Sequence, residues 1–287
     1  MKYRFMERIS SGFEVMKMCR VLGVSRSGYY THLRRGLSPR REENERLTAR
    51  IREIWAARRK VYGSPRITAE LCSEGVRCGK KRIARLMREN GIRSLMNRRF
   101  KVTTRSDHRL PLAEDLVGRD FTTASINKLW VSDITYIWTW EGWLYLAAVM
   151  DVHNREIVGW ALRDRLTKEL VVESLQKGLR ARTPQAGLIF HSDRGGQYAS
   201  SEVRKLLRMW HVRQSMSGTG SCFDNAVMES FFSSLKRELV HLETFHTKAQ
   251  ARRSVFEYIE IFYNRQRRHS SLNHKTPLEY YREATQA

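Results

Sequence analysis

Apolar residues recur at intervals of three and four through the first hundred positions, and the period shortens to that of strands after residue 125. In the front half Leu47, Ile51 and Ile54 share one face of a helix expected over 43–59. Gly63-Ser64-Pro65 is a turn whose proline can open a second, short helix carrying Ile67 and Leu71 and stopping near Gly75. Gly79 precedes KKRIARLMREN, which turns Ile83, Leu86 and Met87 inward and ends at Gly91, a glycine suited to the left-handed position after a helix. Two helices joined by a short glycine-containing turn are the helix-turn-helix layout. A weaker version precedes it: a helix over 15–22, a turn at Gly23, and Ser25 capping SRSGYYTHLRR.

In the back half, residues 130–138 and 143–152 are β-branched and aromatic runs joined by Thr139-Trp140-Glu141-Gly142, a hairpin signal. Residues 151–155 form a second turn and 156–162 a third strand. An amphipathic helix capped by Thr167 runs to 180, followed by a short strand at 187–192, a helix at 201–210, a strand at 212–216, and two long helices at 225–240 and 248–265. A three-strand meander followed by helix-crossover strands predicts an α/β fold with a mixed five-stranded sheet and flanking helices. The expected organisation is an N-terminal helical segment (1–42), a helix-turn-helix domain (43–100), a polar linker (101–125) and a core with C-terminal helices (126–287).

Charge sharpens this division. Lys and Arg number 53 against 30 Asp and Glu, a net of +23. Residues 1–120 carry +17 of it and residues 121–287 only +6, while six of the seven tryptophans follow Ala124. So basic a front half implies a nucleic-acid partner. Lys80, Lys81, Arg82, Arg85 and Arg88 line the outer face of the second helix, suited to phosphates or a major groove; the alternative is a packing module with a solvated basic face. No apolar run approaches the roughly 20 residues of a membrane span, and the start has no secretory apolar region, so a cytoplasmic protein is expected. Cys19, Cys72, Cys78 and Cys222 form no CxxC pair, and His241 and His246 are the nearest approach to a histidine pair. Reduced, mostly buried thiols are expected and structural zinc is not.

Three carboxylates stand out. Asp133 lies mid-strand among Val131, Ile134 and Ile137, where an ionised group is costly without a compensating cation. Asp193 ends GLIFHSD at the carboxyl end of a strand, where open α/β sheets place ligands. Glu229 shares a helix face with Ser233 and Lys236, apart from the apolar stripe of Phe231, Phe232, Leu235 and Leu239. Each alone reads equally as an ion-pair partner, a turn former or a solvated surface residue.

Together, WVSDITYI, HSDRGGQYAS and SGTGSCFDNAVMESFFSSLKREL resemble the three blocks of the Asp-Asp-Glu integrases and transposases. There are 59 residues between Asp133 and Asp193, and 35 between Asp193 and Glu229. The resemblance is closest to the transposases of bacterial insertion sequences that use two overlapping frames, of which this chain resembles the downstream product. It extends to KVYGSPRITAEL and KRIARLMRENGIRS in front and to YNRQRRHSSLNHKTPLEY behind. It implies a ribonuclease H-like core, cleavage of element ends, and transfer of the 3′-hydroxyl to another phosphodiester. Asp133, Asp193 and Glu229 would be the catalytic, metal-holding residues. Two Mg²⁺ ions, with Mn²⁺ as a substitute, suit three hard carboxylates. The resemblance also implies double-stranded DNA as partner, multimers on paired ends, and an upstream-frame protein as partner or fusion. Lys236 is the foremost candidate for a DNA contact, followed by Arg194 and Gln197 in the turn after Asp193, by Asn225 (otherwise a helix cap), and by Arg268 with Arg265 and Arg267 in a basic C-terminal stretch. Asp151 and Asp224 read as turn and cap residues, and 215–224 as a mobile loop. A non-catalytic DNA-binding regulator and a metal-dependent nuclease without strand transfer remain alternatives.

Overall fold

The computed structural model describes residues 2–34, 38–95, 112–118, 120–218 and 225–286. Its front half is helical: α1 (Lys2–Ile9), α2 (Val15–Leu22), α3 (Arg26–Arg34), α4 (Pro39–Ala57), α5 (Ser64–Ser73) and α6 (Lys80–Glu89). The α4 helix starts four residues before the expected position because Pro39 opens it, and α1 lies within the expected helical segment 1–42, although no helix was bounded there. The Ser25 hydroxyl caps α3 by accepting the Gly28 amide at 3.0 Å. Gly75 and Gly91 take the left-handed backbone conformation (φ 80° and 67°) that ends a helix at a glycine.

The back half contains β1 (Leu129–Thr139), β2 (Gly142–Asp151), β3 (Ile157–Arg163), α7 (Lys168–Arg182), β4 (Ile189–Ser192), α8 (Ser201–Met209), β5 (Arg213–Met216), α9 (Ala226–Leu235), α10 (Lys248–Phe256) and α11 (Pro277–Gln286). The strands form one sheet in the order β3-β2-β1-β4-β5. The meander is antiparallel, and β1 pairs β4 in parallel from Leu129↔Ile189 to Val131↔His191. This mixed sheet is the predicted one, with the ribonuclease H-like layering of helices on both faces.

Alternation along the strands assigns the faces. Trp130, Val149 and Phe190 pack with Leu175 and Leu179 of α7 and Val203 of α8. Val131, Ile137, Leu144, Leu146 and Met150 pack with α9 and α10. The α7 layer sits unusually close to β3: a Cβ on Gly159 would lie 2.2 Å from the Ser174 carbonyl oxygen and 2.6 Å from the Gly178 amide nitrogen. Only glycine allows that approach.

The last two expected helices change character partway. α9 passes into a π-helical segment at Lys236–Val240, and α10 into another at Glu257–Tyr263. Two caps also differ from expectation. Thr167 and Asn225 occupy N-cap positions without accepting a backbone amide, and the side-chain Nδ2 of Asn225 instead donates to the Ser132 carbonyl at 2.9 Å. Cys19 is buried, but Cys78 is half-buried and Cys72 exposed, so the expectation of mostly buried thiols fails for the described cysteines; Cys222 lies outside the described residues.

The expected linker and domain boundary also look different in three dimensions. Residues 101–111 and 119 lie outside the described residues, but the following stretch runs beside β5, where the Leu116 amide donates to Ser215 Oγ at 2.9 Å and the Met216 amide to the Glu114 carbonyl at 3.3 Å. The apolar cluster of α4–α6 continues without a break into that of the α9/α10 face. Arginine–carboxylate pairs cross the same junction: Arg66 with Glu238, Arg59 with Glu243 and Arg268 with Glu70. Among the described residues no helix is long and apolar enough to cross a membrane.

Candidate active site

The site begins where the sheet stops pairing. β4 pairs β1 only as far as Val131↔His191, and two residues further on each strand stand Asp133 and Asp193. Beyond that rung the β4 side of β1 is open. Asp133 faces the α9 layer with Val131 and Ile137, and α9 carries Glu229 on that layer.

Asp193 and Glu229 both act electrostatically on Asp133. Burial, and then the Asp193 carboxylate, push the Asp133 carboxyl up to about 7; Glu229 adds to the rise, and the Ile134 amide and the Lys236 ammonium oppose it. Burial raises Glu229 as well. A carboxyl lifted this far by burial and like charge is the pattern of a cation-seeking acid cluster. One oxygen of Asp133 accepts the Ile134 amide at 2.7 Å, and one of Asp193 accepts the Gly195 amide at 2.9 Å. Gly195 permits that turn, since a Cβ there would lie 3.0 Å from Asp193 Oδ1 and 3.2 Å from Gln197 Oε1.

The donor set is hard oxygen throughout, which fits Mg²⁺ or Mn²⁺ and not a thiol-seeking metal. Among the described residues no three His, Cys, Asp or Glu side chains already stand together as a closed metal-holding group.

The residues around the acids are held from several directions. Tyr198 is buried with its hydroxyl 2.9 Å from Ser132 Oγ, and burial together with Asp133 and Asp193 keeps that phenol well above its usual range. Asn225 ties the start of α9 to β1 next to Asp133. Lys236 lies with its ammonium 5.0 Å from the centre of the Tyr136 ring, a cation–π contact at the open edge of β1. Arg194 Nε donates to the Ser217 carbonyl at 2.6 Å, joining the turn after Asp193 to the end of β5. Of the loop expected at 215–224, residues 219–224, including Asp224, lie outside the described residues. Asp151 is fully buried and accepts the Asn127 amide at 2.7 Å and the His153 amide at 3.0 Å, the turn role expected of it.

The basic residues divide into two groups. Lys80, Lys81 and Arg88 are exposed on α6, and Arg85 beside them is half-buried, 3.9 Å from Glu89. Arg82 departs from the expectation of a solvent-facing cation: it binds Glu43 at 2.8 Å and the Asn44 side chain at 2.9 and 2.7 Å, tying α6 to α4. The basic C-terminal stretch departs further. Arg268 is engaged by Glu70 at 2.7 Å, Ser73 at 2.8 Å and the His274 carbonyl at 2.8 Å. Arg267 is buried against Glu238 through two bonds of 2.8 Å. Buried Glu70 and Glu238 need these counter-charges, and their distance along the chain hides the pairing from sequence inspection. The roles of Ser132, Tyr198 and Tyr136 around the acids were also not foreseen; only the flanking motif strings carried a signal for them.

Comparison with known proteins gives a consistent picture. An integrase core domain family matches residues 124–222, a second integrase core domain family matches 210–277, and an HTH-like domain family matches 42–100. The Insertion element IS600 uncharacterized 31 kDa protein of Shigella sonnei is 44% identical over 263 residues, 92% of this chain and 97% of that protein. Transposase InsF for insertion sequence IS3A of Escherichia coli (strain K12) is 40% identical over 282 residues, 98% of each chain. Among solved structures, the HTLV-2 integrase catalytic core domain in complex with magnesium (trimeric form) aligns with a TM-score of 0.43 at 13% identity, over 56% of this chain and 99% of that one. With 40% identity extending from end to end of a transposase, and integrase core matches covering the sheet and the acids alike, this chain belongs to the insertion-sequence transposase family of InsF.

Proposed function

We propose that the chain is a DNA transposase of the Asp-Asp-Glu type. It cuts an element end to expose a 3′-hydroxyl and joins that hydroxyl to a second phosphodiester, using Asp133, Asp193 and Glu229. The observation that carries this reading is the shared field of the three carboxylates at the open edge of β1, which lifts Asp133 to about 7. Acids kept at such a cost are expected where a cation is to be held.

When bound, two Mg²⁺ ions, or Mn²⁺ in their place, supply activation of the attacking oxygen and stabilisation of the leaving 3′-oxygen. Asp133 and Asp193 each direct one oxygen to a backbone amide, which fixes the orientation of the carboxylates that would hold metal. Glu229 completes the set from the helix side. Lys236 contacts the DNA beside the reacting phosphodiester, and Arg194, Gln197 and Asn225 shape the surface on which the strand lies. Lys80, Lys81, Arg85 and Arg88 of α6 hold duplex DNA away from the chemistry. Arg82 and Arg268 have no part in this reading, since their guanidinium groups serve Glu43, Asn44 and Glu70. The working form is a homo-oligomer on paired element ends in the bacterial cytoplasm, at the nucleoid, with the upstream-frame protein as partner or fusion.

The test is to incubate labelled element-end DNA and Mg²⁺ with the wild-type protein and with Asp193→Asn and Glu229→Gln. Joined products that disappear in both variants are the expected result. Cleavage without joining would identify a nuclease, and DNA binding without catalysis by any version would identify a regulator. Salt must be held fixed, since binding by so basic a chain falls steeply with ionic strength.

A further inference from the structure

A cavity of about 410 Å³ lies between the first turns of α9, the β2–β3 turn, α5 and the chain beyond the second π-helical segment. Arg66, Arg155, Arg237 and Arg267 all line it, and no carboxylate does among the described residues. Glu238, behind the wall, answers only two of them, Arg267 at 2.8 Å and Arg66 at 3.4 Å. Arg155 and Arg237 form no ion pair among the described residues. Arg237 Nε reaches the Ser233 carbonyl at 3.1 Å, while Arg155 has no hydrogen-bond partner at all among them. A half-buried guanidinium without a counter-charge beside three others creates a positive field that favours the arrival of an anion. Burial already holds the guanidinium groups of Arg155 and Arg66 below their usual range.

Neutral donors complete the lining. Ser230 and Ser234 line the wall, the Ser234 hydroxyl accepting from Arg267 at 3.1 Å, and so does the start of α9 at Ala226 and Val227. The side chain of Asn225, turned toward Ser132, does not cap those first-turn amides. Guanidinium forks, hydroxyls and helix N-terminal amides are the donors that recognise phosphate.

We infer that this arginine-lined cavity is a phosphate-binding pocket that seats a backbone phosphodiester of the DNA, as an anchor separate from the acid cluster. The inference rests on the reading of DNA as substrate. The placement on α9 favours DNA over a free anion. Ser230 follows Glu229 by one position, about 100° round α9, and Arg237 follows Lys236 by one position in the π-helical segment that continues it. The pocket and the acids therefore occupy adjoining sides of one helix, and a strand crossing α9 meets both. Ser270 and Ser271 at the rim are exposed, leaving the cavity open to an incoming backbone.

The test is binding of a fluorescent duplex of about 40 base pairs, in EDTA, over roughly 50–200 mM KCl. The full-length wild-type protein is compared with Arg155→Gln, Arg237→Gln and the double variant. The expected result for the double variant is roughly tenfold weaker binding, with the slope of log affinity against log salt reduced by about one. Its melting temperature should stay close to or exceed that of the wild type, because neither cation removed has an ion-pair partner among the described residues. A folded double variant with unchanged affinity and slope would overturn the inference. So would a pocket that takes only free anion, seen as inorganic phosphate raising the melting temperature of the wild type but not of the double variant while the DNA slope is unchanged. Because binding is read in EDTA, it is independent of whether the acids hold metal, and failure of strand transfer would bear on that reading alone.

Discussion

Asp133 was conspicuous in the sequence because its strand neighbours are apolar, and the structure supplies the physical content: a carboxyl raised by burial and by a second carboxylate one strand away. The arginines were legible only as positive charge. Arg82, Arg267 and Arg268 look alike in sequence to Lys80 and Arg88, yet their partners are carboxylates and amides that only folding brings near. His269 belongs to the same buried group. Burial, then Arg267, Arg66 and Arg155, hold its imidazole well below the usual histidine range, so the folded protein keeps it neutral while the unfolded chain protonates it near 6.5. Unfolding therefore takes up a proton as pH falls below that value, and the contribution of His269 to stability, full above it, is lost on acidification. Urea titrations between about pH 7.5 and 5.5 should show wild-type stability falling more steeply than that of His269→Gln; identical slopes would refute the assignment.

At the level of elements, the sequence pattern located every strand of the sheet to within two residues, most clearly β1 to β3, which are rich in β-branched and aromatic residues and bounded by turn residues. Two features stayed hidden. The bounds of α1 were one, since KYRFMERI buries only Met6, too little apolar periodicity to place the helix within its helical segment. The π-helical segments after α9 and α10 keep a helical pattern while shifting which side chains face inward, so their sequence reads as unbroken helix. The close approach of α7 to β3 was equally silent, since a glycine in EIVGWAL does not declare its neighbour. Its consequence is measurable. Gly159→Ala drives a methyl group into the Ser174 carbonyl, and denaturant unfolding should register a loss of at least about 2 kcal/mol, whereas Gly79→Ala, with open space around its Cβ, should stay within about 0.5 kcal/mol.

Across the whole molecule, the helical front half and the sheet-bearing back half are joined by one apolar cluster. The helix-turn-helix module shares its apolar core with the α9/α10 face, and Glu238 binds arginines from both sides of the junction. Removing that carboxylate would leave Arg267 buried without a counter-charge. Glu238→Ala should therefore cost about 3–5 kcal/mol and open the junction to limited proteolysis, which a melting curve and a digestion time course can both read. The unequal charge of the two halves acquires a mechanical meaning through this junction: the basic helices that would grip duplex DNA are coupled to the helix carrying Glu229. The central claim is that Asp133, Asp193 and Glu229 act by holding metal, and it is tested most directly by changing the ligand atom. An Asp193→Cys protein should fail to join element-end DNA with Mg²⁺, which avoids thiolate, and should regain joining with Mn²⁺, which accepts it. Joining by that variant to the same extent with both ions, at the wild-type level, would contradict the claim.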